Sequence, residues 1–190
     1  MEESDSRRGV SRIQILPIGP IRPEVLSALA SGLTAEFRQA CELLPEAPDP
    51  AFAFNVTRQQ YSATEILASL APRITERTGR LLAVTPLDLY IPILTFVFGE
   101  AQLSGRCAVV SYYRLRQEFY GLPADEKLFR QRVLKESVHE LGHTYRIEHC
   151  EDYECVMSSS HSVEWIDLKT SSFCPGCRSS VLSLALGNHP

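Results

Sequence analysis

The sequence predicts an α/β (α+β) fold: a single domain with a twisted mixed sheet, one long helix rich in chemistry, and a C-terminal part braced by metal. Three observations carry this. Between residues 13 and 113, short apolar runs of strand character alternate with amphipathic helical runs. A capped periodic run from Asp125 to about Tyr145 holds two histidines and a glutamate. Residues 146–177 contain few apolar side chains but four cysteines, so burial alone cannot order them and a metal is the natural clamp.

The elements follow in order. Residues 1–12 are polar and charged and are expected to be flexible. Residues 13–18 form an apolar strand closed by Pro17, Gly19 and Pro20. Residues 22–37 predict a helix, with Val25, Leu26, Leu29, Leu33 and Phe37 on one side and Pro23 suited to the first turn. Residues 41–44 suit a second strand, 45–50 (P-E-A-P-D-P) a loop, and 52–58 a short strand. Ser62 reads as an N-cap, with Glu65 completing a capping box. The helix it opens carries Ile66, Leu67, Leu70 and Ile74 and is expected to stop at Gly79, with Pro72 bending it or starting a new turn. Residues 81–85, 88–93, 95–99 and 107–113 read as closely spaced strands. The last two are joined by a hairpin turn containing Ser104 and Gly105. Asp125 can cap the next helix, which Leu128, Val133, Leu134, Val138 and Leu141 carry onward, and residues 181–186 suit a short terminal helix. The expected organisation is one domain over 1–190, with the sheet and helices in 13–145, the chemistry-bearing helix at about 125–145, and a metal-stabilised part in 146–190.

A chain of 190 residues can bury a proper core without disulfides. Its apolar and charged fractions, 44% and 22%, are those of a soluble globular protein, and a net charge of -4 lacks the basic footprint of a nucleic-acid binder. The N-terminus, M-E-E-S-D-S-R-R-G-V, has no apolar stretch of the kind a signal peptide needs. The longest apolar run, near residues 89–98, is broken by Pro92 and does not reach membrane-spanning length. A cytoplasmic monomer with no nucleic-acid or membrane partner is expected. Cys41 and Cys107 lie in apolar contexts and read as buried core thiols, and His161 and His189 as solvated surface.

The chemistry concentrates in H-E-L-G-H-T-Y-R-I-E-H-C, residues 139–150. His139 and His143 stand four apart, so a helix presents both to one ion, and His149 supplies a third imidazole. Three neutral imidazoles leave the full charge on a zinc ion, which lowers the pKa of bound water and polarises a carbonyl. Glu140, between the first two histidines, is placed to act as general base on the zinc-activated water and then as proton donor to the leaving amine. Affinity order alone does not choose among zinc, iron, cobalt and nickel for such a site. The spacing is that of the metzincins, H-E-x-x-H-x-x-G-x-x-H, with Arg146 in place of the glycine.

Cys150 and Cys155 stand five positions apart, and Cys174 and Cys177 form a C-x-x-C around Pro175 and Gly176. Two such pairs suit a structural four-cysteine zinc. Two disulfides, or a redox pair at Cys174 and Cys177, are the alternatives; the redox reading needs the C-x-x-C to open a helix after a strand.

Taken together, His139, Glu140, His143, His149, Cys150, Cys155, Met157, Cys174 and Cys177 resemble the signature of the archaemetzincins. So do the upstream phrases at residues 53–62 (A-F-N-V-T-R-Q-Q-Y-S), 96–101 (F-V-F-G-E-A) and 110–115 (V-S-Y-Y-R-L), and the resemblance covers most of residues 13–180. It implies a metzincin-like domain with a catalytic zinc on His139, His143 and His149 and a structural zinc on Cys150, Cys155, Cys174 and Cys177. It also implies that Met157 forms the Met-turn beneath the catalytic metal, an ordinary core methionine being the alternative. Peptide or protein substrate would add as a strand along residues 96–101.

Glycine at position 146 would let the chain leave the helix with positive φ, which costs an arginine roughly 1–2 kcal/mol. Three outcomes are open. The fold absorbs the strain; the turn takes another path with His149 still in reach; or the helix runs on and His149 swings away. The Arg146 guanidinium could also block or line the cleft. Two function classes follow: a zinc metallopeptidase, with aminopeptidase action one option, or a zinc-binding protein with little hydrolysis. Glu100 could hold a substrate's free amine, a solvated turn charge being the alternative.

Overall fold

The computed structural model describes residues 12–75 and 78–185. In chain order the elements are β1 (Arg12–Pro17), α1 (Pro23–Phe37), β2 (Cys41–Leu43), β3 (Phe54–Asn55), β4 (Gln60–Ser62), α2 (Ala63–Leu70), β5 (Thr78–Thr85), β6 (Leu89–Tyr90), β7 (Gly99–Ala101), β8 (Cys107–Ser111), α3 (Glu126–Thr144), α4 (Val163–Leu168) and α5 (Pro175–Ala185). Single 3-10 turns intervene, as at Ala51–Ala53, Ala71–Arg73 and Tyr113–Leu115. Most of the N-terminal segment expected to be flexible, together with Leu186 and His189, lies outside the described residues.

The main sheet has the order β2-β1-β5-β8-β7, parallel except for β7, which runs antiparallel to β8 along one edge. A small second sheet joins β3, β4 and β6. The strand pleat sends alternate side chains to opposite faces. Leu82, Val84, Ala108 and Val110 pack with α1 and α3 on one face, while Leu81, Ala83, Cys107 and Val109 pack with α2 on the other. The central strands are therefore buried on both faces, as parallel strands require, and read as continuous apolar runs. Each fully buried leucine or valine contributes roughly 1.5–3 kcal/mol, so this sandwich supplies most of the scaffold's stability.

Several boundaries differ from expectation for identifiable reasons. The second helix stops at Leu70, not at Gly79: Pro72 has no N–H to give to Ala68, the chain closes one 3-10 turn, and Gly79 enters β5. Ser62 does cap that helix, accepting a bond from the Glu65 N–H at 3.3 Å. The strand expected over 95–99 is instead β7 at Gly99–Ala101, because the turn at Ser104 sets Gly99 opposite Val110 and Ala101 opposite Ala108. Residues 91–98 form an irregular wall that meets the small sheet at the Leu89–Val97 bridge and through the Gln60 amide, which donates to Thr95 O at 3.0 Å. The helix expected over 181–186 begins at Pro175, and α4 appears in what was expected to be tail.

Candidate active site and metal centres

Helix α3 presents the first part of the site. Asp125 caps it, accepting from the Leu128 N–H at 2.9 Å. His139 and Glu140 are buried and His143 is half-buried, all near the helix's carboxyl end. The helix then closes on a Schellman turn: Arg146 N–H bonds to His143 O at 3.0 Å and Ile147 N–H to Gly142 O at 3.3 Å. Arg146 occupies the left-handed position with φ 62°. Of the three outcomes open to the sequence, the chain takes the first. The strain is absorbed, the path is the one a glycine would give, and His149 returns to the other two histidines. Arg146 does not line the cleft; it borders two other pockets, one with Arg80 and Arg106 and one with His149 and Cys150.

The three imidazoles face one another with ring centroids 4.8–5.3 Å apart. One ring nitrogen from each lies within 4.8 Å of the others. His139 Nδ1 lies 2.9 Å from Val156 O and His143 Nδ1 lies 2.7 Å from Ile147 O. A carbonyl accepts, so each Nδ1 carries the proton and each Nε2 keeps its lone pair. Those two Nε2 atoms stand 3.2 Å apart. Two facing lone pairs at that distance repel without a cation between them, and tetrahedral zinc would hold them about 3.3 Å apart. Burial, the largest cause, holds all three imidazoles below their ordinary pKa, most strongly at His139, which keeps them neutral as ligands must be. The donor set fits zinc.

Glu140 is pushed well above the ordinary carboxylate range by burial first and then by the charge of Glu136, as suits a group that accepts a proton near neutral pH. Edge strand β7 lies against it. A Cβ on Gly99 would stand 2.6 Å from Glu140 Cγ and 2.7 Å from Val109 O, so the close approach of strand to carboxylate needs glycine there. On the other side of α3, a Cβ on Gly142 would meet Met157 Sδ at 2.4 Å. Met157 is fully buried, its side chain packed against α3 at Gly142. Its carbonyl accepts the Cys150 N–H at 3.0 Å, which ties the chain below the site to the first cysteine.

The cleft has an apolar wall from residues 91–101 and a polar wall of histidines, Glu136, Glu140, Ser159, Ser160 and His161. His161 is exposed, as expected, but stands in this wall. Glu100 is not among the residues that line the cleft. It pairs with Val109, whose side chain faces α2, so the pleat turns its carboxylate to Thr64, whose hydroxyl donates at 2.9 and 3.1 Å.

The four cysteines converge as well, their sulfurs within 4.8 Å of one another. Cys150 Sγ and Cys174 Sγ are 3.9 Å apart, close to the roughly 3.8 Å edge of a tetrahedral zinc–thiolate site and far beyond a disulfide bond. The C-x-x-C does open a helix, α5, but the element directly before it is helix α4 and not a strand, so the context of a redox pair is missing. Glu36 on α1, unnoticed in the sequence, holds this segment. It accepts the Phe173 N–H at 3.0 Å and the Ser172 hydroxyl at 3.1 Å, and it pairs with Arg178. Of the other two cysteines, Cys107 is the buried core thiol expected, pushed up to about 11 by burial, while Cys41 is only half-buried against the core, its thiol also raised by burial.

Comparison with known proteins agrees with this geometry. The model of peptidase family M54 matches residues 50–182. An archaemetzincin of Methanocaldococcus jannaschii is 42% identical over 168 residues, covering 88% of this chain and 91% of its own, and one of Pyrococcus furiosus is 38% identical, covering 87% and 89%. Among solved structures, the archaemetzincin of Methanopyrus kandleri superposes with a TM-score of 0.82 at 33% identity, covering 95% of this chain and 98% of its own. That of Archaeoglobus fulgidus, crystallised with malonate, gives 0.78 at 38%, covering 89% and 99%. The chain belongs to the archaemetzincins, peptidase family M54.

Proposed function

We propose that this archaemetzincin is a zinc-dependent peptidase whose catalytic metal is held by His139, His143 and His149. The observation that carries the reading is the convergence of three neutral imidazoles and a buried glutamate on one cleft beside a free sheet edge. Zinc there supplies Lewis acidity and acidifies water. Edge strand β7 binds extended peptide through its unpaired backbone groups and sets the scissile bond over Glu140. Glu140 takes the proton of the attacking water and returns it to the leaving amine, its buried carboxyl retaining the proton between the two steps. Cys150, Cys155, Cys174 and Cys177 hold a second, structural zinc. The path of the chain through Arg146 supports the enzyme over a non-hydrolytic binding protein, since it keeps His149 with its partners.

The test is cleavage of a peptide library by wild type and by Glu140→Gln. Wild type is expected to cleave, and the variant to lose about 10²–10⁴-fold in rate while keeping its metal. Equal rates would remove Glu140 from the mechanism, and no cleavage by metal-loaded wild type would favour the binding protein.

A further inference from the structure

Lys169 has 2% of its surface exposed, although it lies in a polar, loop-rich part of the chain. Its Nζ stands 2.9 Å from Glu136 Oε1, itself on a residue 3% exposed, and donates to Ser158 O at 3.2 Å. Stability does not call for such a pair. Replacing a buried ion pair by apolar residues of similar volume is often neutral or stabilising, because the cost of desolvation offsets the attraction. Its position is more informative. Glu136 stands one turn before Glu140 on α3 and lines the cleft with it, and Ser158 directly follows Met157.

The segment that carries Lys169 is also anchored independently. Arg132 donates twice to the Asp167 carboxylate at 2.8 and 2.6 Å, and Lys135 donates to Ile166 O at 2.9 Å and to Asp167 O at 3.2 Å. The carboxyl end of α4 is thus bolted to α3 whether or not the buried pair forms. Glu136 and the three histidines line one cleft, so an ammonium 2.9 Å from the Glu136 carboxylate stands beside the imidazoles. Uncancelled, that charge repels a cation sitting on them.

We propose that Glu136 and Lys169 are a charge-compensated positioning pair for the three-histidine site: Lys169 ties the chain after Met157 to the active-site helix, and Glu136 cancels the ammonium so that a divalent cation can sit on the imidazoles. The proposal rests on the zinc reading above. It makes the two halves of one ion pair act on metal affinity with opposite sign.

Cobalt(II) titration of the full chain against a competing chelator tests this, because only the four-thiolate site gives thiolate charge-transfer bands and the two sites are read separately. Glu136→Gln is expected to weaken cobalt on the histidines by about 10- to 100-fold, the usual effect of removing an outer partner. Lys169→Met is expected to keep or tighten that binding while lowering Tm, since it strands a buried carboxylate. The double variant is expected to return to within about threefold of wild-type affinity, and the cysteine site to stay constant throughout. Should Lys169→Met not fold, Lys169→Gln keeps a donor for Ser158 while removing the charge, with the same expectation. Equal loss of affinity in both single variants, or no recovery in the double, overturns the proposal. Failure of the wild type to bind cobalt on the histidines overturns the zinc reading instead.

Discussion

Residues 12–144 and residues 146–178 are ordered by different forces. In the first region, both faces of the sheet are covered by helices, and buried leucines, isoleucines and valines lie in two continuous clusters. In the second, the short helix α4 and the start of α5 stand in a run of turns, and the apolar contribution is a few side chains such as Val156, Met157, Ile166 and Phe173. Polar anchors reach in from the first region instead: Glu36 from α1, and Arg132, Lys135 and Glu136 from α3. On the proposed two-zinc reading, the remaining order comes from the two ligand clusters. His149 and all four cysteines belong to the second region, while His139 and His143 belong to the first, so the proposed catalytic zinc is also the rivet between them. A scaffold held by burial supplies rigidity, and a segment held by ligands and ion pairs delivers groups to the site.

Removal of metal should separate the two most strongly. Structural zinc contributes on the order of 10 kcal/mol to the folding of small metal-bound modules. A strong chelator is therefore expected to abolish hydrogen-exchange protection over residues 147–174 while β1, β5 and β8 stay protected; equal loss in both regions would mean that one cooperative unit, not two, is at work. A smaller effect of the opposite kind is expected from Leu82→Ala, which opens a cavity between sheet and helices. Roughly 2–5 kcal/mol of global stability should go, read by urea unfolding, with the metal-to-chain ratio of the folded protein unchanged. Glu36→Ala removes the acceptor for Phe173 N–H and Ser172 and is expected to cost about 1–3 kcal/mol. Cobalt binding at the cysteines should weaken as well, and an unaltered thiolate spectrum under chelator would show that Glu36 does not hold this segment. The smallest effect belongs to Arg146→Gly, where relief of left-handed strain should stabilise by up to about 1 kcal/mol. A loss of stability there would mean that the guanidinium, not the backbone, matters.

The same contrast explains what the sequence made legible. His139 and His143 share a helix, so their spacing alone fixes their relation, and the long apolar period of α3 placed them correctly. The parallel strands β1, β5 and β8 announced themselves as apolar runs because both their faces are buried. Thr95 to Phe98 misled for the opposite reason. Phe96 to Phe98 are apolar because they wall a cleft and pack against the two core clusters, and pairing with β8 begins at Gly99. Glu100 looked like a free charge on an edge strand, yet its side of the pleat was decided by its partner Val109, which no local pattern encodes. Pro175 suits a helix's first turn, but the apolar run that begins at Val181 is the stronger local signal and sets the expected start later. Glu136 resembled one more solvated helix position and Lys169 one more charge in a polar tail. They are 33 positions apart in sequence, and only the packing of α4 on α3 brings them together.

The account turns on both clusters holding metal at once, and metal content per chain, on protein purified without chelator, tests it most directly. Two zinc ions per wild-type chain are predicted, with the cysteine-bound ion lost in Cys174→Ser and both ions retained in Glu140→Ala. One ion per wild-type chain, lost in Cys174→Ser, would contradict the account: the imidazoles would then converge without binding, and the hydrolytic reading would fall with them.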